Sequence, residues 1–258
     1  MKTGVKGACG ILLVGLLSCG FVFGYDLITQ CEFFKARHIE ITGVERLSRK
    51  DVMTQAKITD GVNILSVNLK IARKRLLSHP WIKDARVSRE LPSELTIGIT
   101  EHQAVAIADL GEKFLVNTGG EIFKRWEASD PDQLPIISGL DFSDIHEPGI
   151  APASTFQAAM AVLQLGRQPG SILPNRMIKK IQVDRELGIT LYAFEETKAI
   201  RLGYSDYPGK YQTLEQIFSY VKQSPEVPDF MEIDLDNRDR VILRPVSAES
   251  DIGNHKEV

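Results

Sequence analysis

Histidines and clustered carboxylates are the side chains here whose type and spacing could do chemistry. The five histidines, His38, His79, His102, His146 and His255, are scattered. No two stand four apart, the spacing by which one helix face presents a zinc site. His79, immediately before Pro80, reads as the end of a helix. The segment "DLDNRD" gathers Asp234, Asp236 and Asp239 in the manner of a calcium loop. Such a loop wants Gly sixth and Glu twelfth, where this chain has Asp239 and Pro245. A polar hairpin turn accounts for the cluster better. Glu195 and Glu196 fall at a strand-to-strand turn, where charges are solvated, and nothing suggests two carboxyls in the opposed environments of acid–base catalysis. Gly-x-Ser-x-Gly, the Walker loop and the Gly-x-Gly-x-x-Gly turn are all absent. The expectation is a chain that is not an enzyme, with no catalytic, cofactor-binding or metal site and no small-molecule substrate.

Composition narrows the remaining classes. A net charge of -3 gives no concentrated basic face, so no nucleic acid is expected. With 43% hydrophobic and 25% charged residues in 258, the chain has an ordinary globular composition and room for two small domains. Its three cysteines, Cys9, Cys19 and Cys31, all precede Glu32, so the domains must be held by packed cores rather than by disulfide staples.

The elements begin with "ACGILLVGLLSCGFVFGY", Ala8 to Tyr25, which carries no charge. It is just long enough to cross roughly 30 Å of hydrocarbon. Lys2 and Lys6 precede it, favouring a cytoplasmic N-terminus. A cleaved signal peptide would want an A-x-A-like site, which is missing near Gly24. A lipoprotein reading of "LLSC", ending at Cys19, conflicts with the apolar "GFVFGY" that follows. An uncleaved anchor is the favoured reading, with Gly20 and Gly24 spaced for helix packing in lipid. The rest of the chain would then lie beyond the bilayer, where no ATP is expected.

Phe34 to His102 read as one unit. "RHIEITGV" is a strand with Ile39 and Ile41 on one side. Ser48 and Asp51 are spaced as a capping box with Asp in place of Glu. The stretch from Asp60 to Pro80 is predicted as a long helix whose Leu65, Leu69, Ala72 and Leu76 form one stripe, with Lys70, Arg73 and Lys74 on the other face. In "HPWIKDARVSRELPSELTIGITEH", His79 to His102, a strand follows the helix, "LP" turns the chain, and Leu95, Ile97 and Ile99 alternate with Thr96, Gly98 and Thr100. The order is β-α-α-β-β, and Trp81 is expected in the core where helix meets sheet.

Gln103 to Pro245 form a second, strand-rich unit. "FLVNTGGEIFKRW" is a hairpin with "NTGG" at its turn, and "LPIISGL" a short buried strand or connector. Phe156, Ala159, Met160 and Leu163 make an amphipathic helix closed by Gly166. Strands are expected at Met177–Asp184, Gly188–Phe194 and Lys198–Gly203, then a helix with Tyr211, Leu214, Ile217 and Val221 on one side. A hairpin closes the unit with Val241–Arg244 as its last strand. The polar "VSAESDIGNHKEV" beyond is expected to be a disordered tail.

A sheet protein without reaction chemistry can act through its edges, because an edge strand offers unpaired N–H and C=O groups to an incoming chain. Two edges qualify: that of the first unit beside its second helix, and Val241–Arg244. Charges such as Arg240 and Arg244 could equally protect the latter.

The whole pattern resembles the bacterial cell division protein FtsQ, or DivIB, family. The resemblance rests on Pro80-Trp81-Ile82, the turn Pro92-Ser93-Glu94-Leu95, Glu101, "LVNTGGEIF" from Leu115, "LPIISG" from Leu134 and "EIDLDNRDRVILR" from Glu232. It implies an α+β architecture with a cytoplasmic stub (1–7), a single N-terminal transmembrane helix (8–25), a linker (26–33), a POTRA domain (34–102), a β domain with two helices (103–245) and a tail (246–258). It implies a non-catalytic scaffold of the divisome, single-pass in the cell inner membrane, with the bulk of the chain periplasmic at the division septum. Implied partners are FtsB and FtsL, with FtsK, FtsW and FtsI as further divisome proteins and the lipid bilayer around one helix. The implied surface for FtsB is Asn237, Val241, Ile242, Leu243 and Arg244, where this chain lacks the aromatic residues usual in the family. Lys70, Arg73 and Lys74 are implied as a second, POTRA surface. The alternative is a POTRA-bearing factor of outer-membrane protein assembly or secretion, which would normally continue into alternating membrane strands.

Overall fold

The computed structural model describes residues 14–24, 32–145, 154–195, 197–223, 230–237 and 240–245. The expected stub, most of the linker, the tail, His146, Glu196, Asp239 and His255 lie outside these. Residues 14–24 are helical (α1), and Gly20 and Gly24 sit one turn apart in them. The flanking residues 8–13 and 25 of the expected anchor are not among those described. No helix of the described residues is long and apolar enough to cross a membrane. The chain divides into two compact units, Met1–His102 and Gln103–Val258.

The first unit carries β1 (His38–Thr42), α2 (Arg49–Ala56), α3 (Leu69–Leu77), β2 (Ile82–Glu90) and β3 (Glu94–Glu101), with sheet order β1-β3-β2. The last strand is thus the middle one, parallel to β1 and antiparallel to β2. The expected alternation is realised: Leu95, Ile97 and Ile99 are buried beneath the helices with Ala72, Leu76, Val52 and Ile64. Ser48 and Asp51 form the expected capping box at α2, each side chain accepting the other residue's backbone N–H.

The long helix predicted from Asp60 is corrected. α3 begins only at Leu69, so Leu65 precedes the helix instead of belonging to its stripe. Asn63 and Asn68 supply the reason. Asn63 accepts the Leu65 N–H at 2.9 Å, and Asn68 accepts the Ile71 N–H at 3.1 Å as the helix cap. Such side chains offer the backbone local partners that compete with helical ones. The Arg89 guanidinium then holds the turn to β2 by donating to the carbonyls of Ile64 and Val67.

The second unit is one nine-stranded mixed sheet in the order β12-β11-β10-β9-β8-β7-β4-β5-β6. Its strands are β4 (Ala104–Asp109), β5 (Lys113–Asn117), β6 (Ile122–Arg125), β7 (Ile136–Ser138), β8 (Ile178–Asp184), β9 (Gly188–Ala193), β10 (Lys198–Gly203), β11 (Phe230–Asp234) and β12 (Ile242–Pro245). β4 was not anticipated: Val105 to Ala108 are all buried, so the period-two signal of a half-exposed strand is missing. α5 (Ser154–Gly166) and α6 (Tyr207–Gln223) are the two expected helices, and α4 (Phe142–Ile145) adds one turn. α5 packs on β8 and β9 with α6 beside it. α6 is also the crossover between the parallel strands β10 and β11.

Lateral pairing aligns one apolar row beneath the helices. Ala108, Ile137 and Ile181 are neighbours across β4, β7 and β8. The row runs on through Leu191, Ile200 and Ile233 to Leu243 on β12. Every member is fully buried except Leu243, which is 36% exposed.

Candidate functional site

Among the described residues, Asp234, Asp236 and His79 are absorbed into ordinary structure. Asp234 lies on β11, 3.6 Å from the Arg201 guanidinium, and its Oδ1 accepts the Asp236 N–H at 2.9 Å. His79 stands just past the C-terminus of α3, where its N–H reaches the Leu76 carbonyl and its Nδ1 accepts the Trp81 N–H at 3.2 Å. Among the described residues no group of three His, Cys, Asp or Glu side chains converges as a metal site.

Trp81 is buried, as expected, where the end of α3 meets the start of β2. The Arg46 guanidinium lies 4.3 Å from its ring centroid, a cation–π contact. The reason for Glu101 becomes visible next to it. Its carboxylate accepts the backbone N–H groups of Glu45, Arg46 and Leu47 at 3.1, 2.9 and 3.1 Å. One side chain thereby fixes the loop between β1 and α2, and with it the arginine over Trp81. Gly43 opens that loop at φ +79°, where a Cβ would stand 1.9 Å from the Ile99 carbonyl oxygen.

The open edges differ in what already occupies them. In the first unit, Arg49 donates to the Ile39 carbonyl of β1 at 2.5 Å. Arg73 donates to the Ala85 carbonyl of β2 at 2.7 Å and pairs with Asp84 at 2.9 Å. The hydrogen bond from the Ala85 N–H, then the one from Arg73, hold the Asp84 carboxyl below its usual range. Lys70 and Lys74 are exposed on α3, but Arg73 is spent on clipping the helix to the edge strand. At the far edge of the second unit, β6 turns Lys124 inward onto Asp130 at 2.5 Å, and the Asp130 side chain is only 2% exposed. Burial works to lower the Lys124 pKa, yet hydrogen bonds to Asp130 and Glu127 outweigh it and raise the group above its ordinary value. An inward charge of this kind guards a strand edge.

β12 is built differently. Among the described residues it pairs only with β11, in the register Glu232↔Arg244, Ile233↔Leu243 and Asp234↔Ile242. Among the described residues no side chain hydrogen-bonds to its backbone, and the Arg244 guanidinium goes to the Glu232 carboxylate at 2.9 Å instead. Val241, Ile242 and Leu243 are 40%, 36% and 36% exposed, an apolar tripeptide on the rim. Asn237 lies in the turn before it, accepting the Arg240 N–H at 3.4 Å. The structure thus brings Val241 to Arg244 together on one edge with Asn237 at its approach, while Lys70, Arg73 and Lys74 belong to the other unit.

The fold defines a class: a β-α-α-β-β module followed by a long mixed sheet with an open terminal edge. Residues 34–102 match the family model "POTRA domain, FtsQ-type", and residues 104–243 match "Cell division protein FtsQ/DivIB, C-terminal". The chain belongs to the FtsQ/DivIB family of cell division proteins. It is 28% identical to the cell division protein FtsQ of Syntrophotalea carbinolica, covering 90% of this chain and 82% of that one. To that of Geotalea daltonii it is 27% identical, covering 95% and 88%. To that of an Anaeromyxobacter species it is 30% identical, covering 89% and 77%.

Proposed function

We propose that this chain is a non-catalytic scaffold of the bacterial division machinery, single-pass in the inner membrane and acting at the septum, which takes FtsB as an added strand along β12. FtsL, FtsK, FtsW and FtsI are the further partners in this reading. The observation that carries it is the contrast among edges: β1, β2 and β6 are clipped or guarded by charged side chains, whereas among the described residues nothing covers the outer backbone of β12, beside exposed Val241 and Leu243. Strand addition draws affinity from main-chain bonds, so it does not need the aromatic residues this chain lacks there.

The membrane assignment is supported by α1, whose Val14, Leu16, Leu17, Phe21, Val22 and Phe23 are all more than half exposed. Exposed apolar side chains on every side of a helix want a lipid surrounding. In this reading residues 1–7 are cytoplasmic, 8–25 span the bilayer, 26–33 link, 34–102 and 103–245 are the periplasmic domains, and 246–258 form the tail. Lys70 and Lys74 would serve a separate POTRA partner.

Val241→Lys and Leu243→Lys in the full chain test the edge. Both should reduce capture of FtsB while circular dichroism and thermal unfolding stay those of the unmodified chain. Undiminished capture by both refutes the placement. Depletion should leave long undivided filaments; loss of outer-membrane porins in normally dividing cells would point to the assembly-factor reading instead.

A further inference from the structure

We propose that the segment accepted at β12 carries an adjacent apolar–acidic pair: a large apolar side chain set beside Leu243 beneath the helix-covered face, and a neighbouring carboxylate set beside Arg244 on the opposite face. This rests on β12 being the docking edge, and it specifies what that edge selects.

Two rows of the sheet end there. On the helix-covered face, Leu191, Ile200 and Ile233 are each 0% exposed because each has an apolar neighbour on both flanking strands. Leu243 continues that row and among the described residues has such a neighbour on one side only; it is 36% exposed. Side chains directly opposite across a strand pair lie about 5 Å apart, so an apolar group on the next strand completes the row. It also removes Leu243 from water, as its inner neighbours already are.

On the other face, charge alternates strand by strand. Arg201 of β10 stands 3.9 Å from Glu232 and 3.6 Å from Asp234, both on β11. Arg244 of β12 stands 2.9 Å from Glu232, with its own side chain 59% exposed against 19% for Glu232. The series positive, negative, positive is followed favourably by a negative charge, whereas a basic residue there would oppose Arg244 across the new pair. Leu243 and Arg244 are consecutive and so point to opposite faces. The apolar and acidic residues of the incoming strand must therefore be consecutive too.

The probe is a pair of fluorescent twelve-residue peptides of alternating Thr and Val, each with a central Leu followed by Glu in one and Lys in the other. Binding is measured on the full chain in detergent micelles, with hydrogen exchange of the β12 amides as a second readout. The Glu peptide should bind about fivefold more tightly than the Lys peptide at low salt. The preference should shrink at ~1 M salt, where screening acts within about 3 Å. Arg244→Glu should invert it and Arg244→Gln should abolish it. Equal binding of both peptides with β12 amides protected overturns the proposed pattern and leaves the edge standing. If neither peptide protects those amides, the edge assignment fails and takes the pattern with it.

Discussion

Removing the Glu101 carboxylate should release the loop that positions Arg46 over Trp81. Three backbone N–H groups converge on it at 2.9–3.1 Å. A hydrogen bond to a charged acceptor contributes about 1.5–3 kcal/mol net. The three are not additive here, because Glu45 and Arg46 are exposed and water can replace part of what is lost. Glu101→Ala should therefore destabilise the chain by about 2–4 kcal/mol. Glu101→Gln keeps one carbonyl oxygen able to accept two of the N–H groups, as a neutral acceptor, and turns a donor toward the third. Its cost should be about 1–2 kcal/mol. Urea unfolding gives these values, and hydrogen exchange of amides 45–47 should accelerate in the order Ala, then Gln, then unmodified chain. If Glu101→Ala stays within about 0.5 kcal/mol of the unmodified chain, or exchange at those amides is unchanged, the carboxylate is not what holds the loop.

Gly43→Ala should cost roughly 2–4 kcal/mol, since a left-handed conformation is combined with a Cβ 1.9 Å from the Ile99 carbonyl oxygen. Gly61→Ala, also left-handed at φ +73° but with nothing within 4 Å, should cost only about 1 kcal/mol, and equal melting-temperature losses for the two would refute the clash. Lys124→Met should destabilise by roughly 2–4 kcal/mol, because the Asp130 side chain, 2% exposed, is left without its cation, and denaturant midpoints read this directly. The capping box gives a pH signature. Hydrogen bonds from the Ser48 side chain and backbone hold the Asp51 carboxyl below its ordinary value. A carboxyl depressed on folding contributes stability that is fully present above its unfolded pKa, about 3.9, and disappears as pH falls through the lower folded value. Asp51→Asn should thus be less stable than the unmodified chain at neutral pH and nearly equal to it near pH 2; a constant difference across that range would count against the box.

Much of each unit was legible as local pattern. Alternation placed β3, the strands expected at Met177–Asp184, Gly188–Phe194 and Lys198–Gly203 form as β8, β9 and β10, and the spacing of Phe156, Ala159 and Leu163, and of Tyr211 and Leu214, placed α5 and α6. Ser48 and Asp51 announced their cap three residues apart. The apolar run Val241–Leu243 was visible as well, although the strand expected at Val241–Arg244 forms at Ile242–Pro245. The strand Ala104–Asp109 was not, because burial on both faces erases the alternation. The start of α3 was misplaced because the stripe ran back to Leu65, while the two asparagines set the helix boundary by hydrogen bonding rather than hydrophobicity.

Periodicity and capping are relations among residues a few positions apart, so the sequence alone determined most of the helices and strands, and the apolar faces of those whose pattern is one-sided. Lateral neighbours are relations between distant residues, and only the tertiary structure decided those. It set β3 between β1 and β2, and β7 between β4 and β8. It sent Arg49 and Arg73 to edge carbonyls and Glu101 to a loop more than fifty residues away. It also ended the buried row of the described residues at Leu243, on the strand that stands last in the sheet.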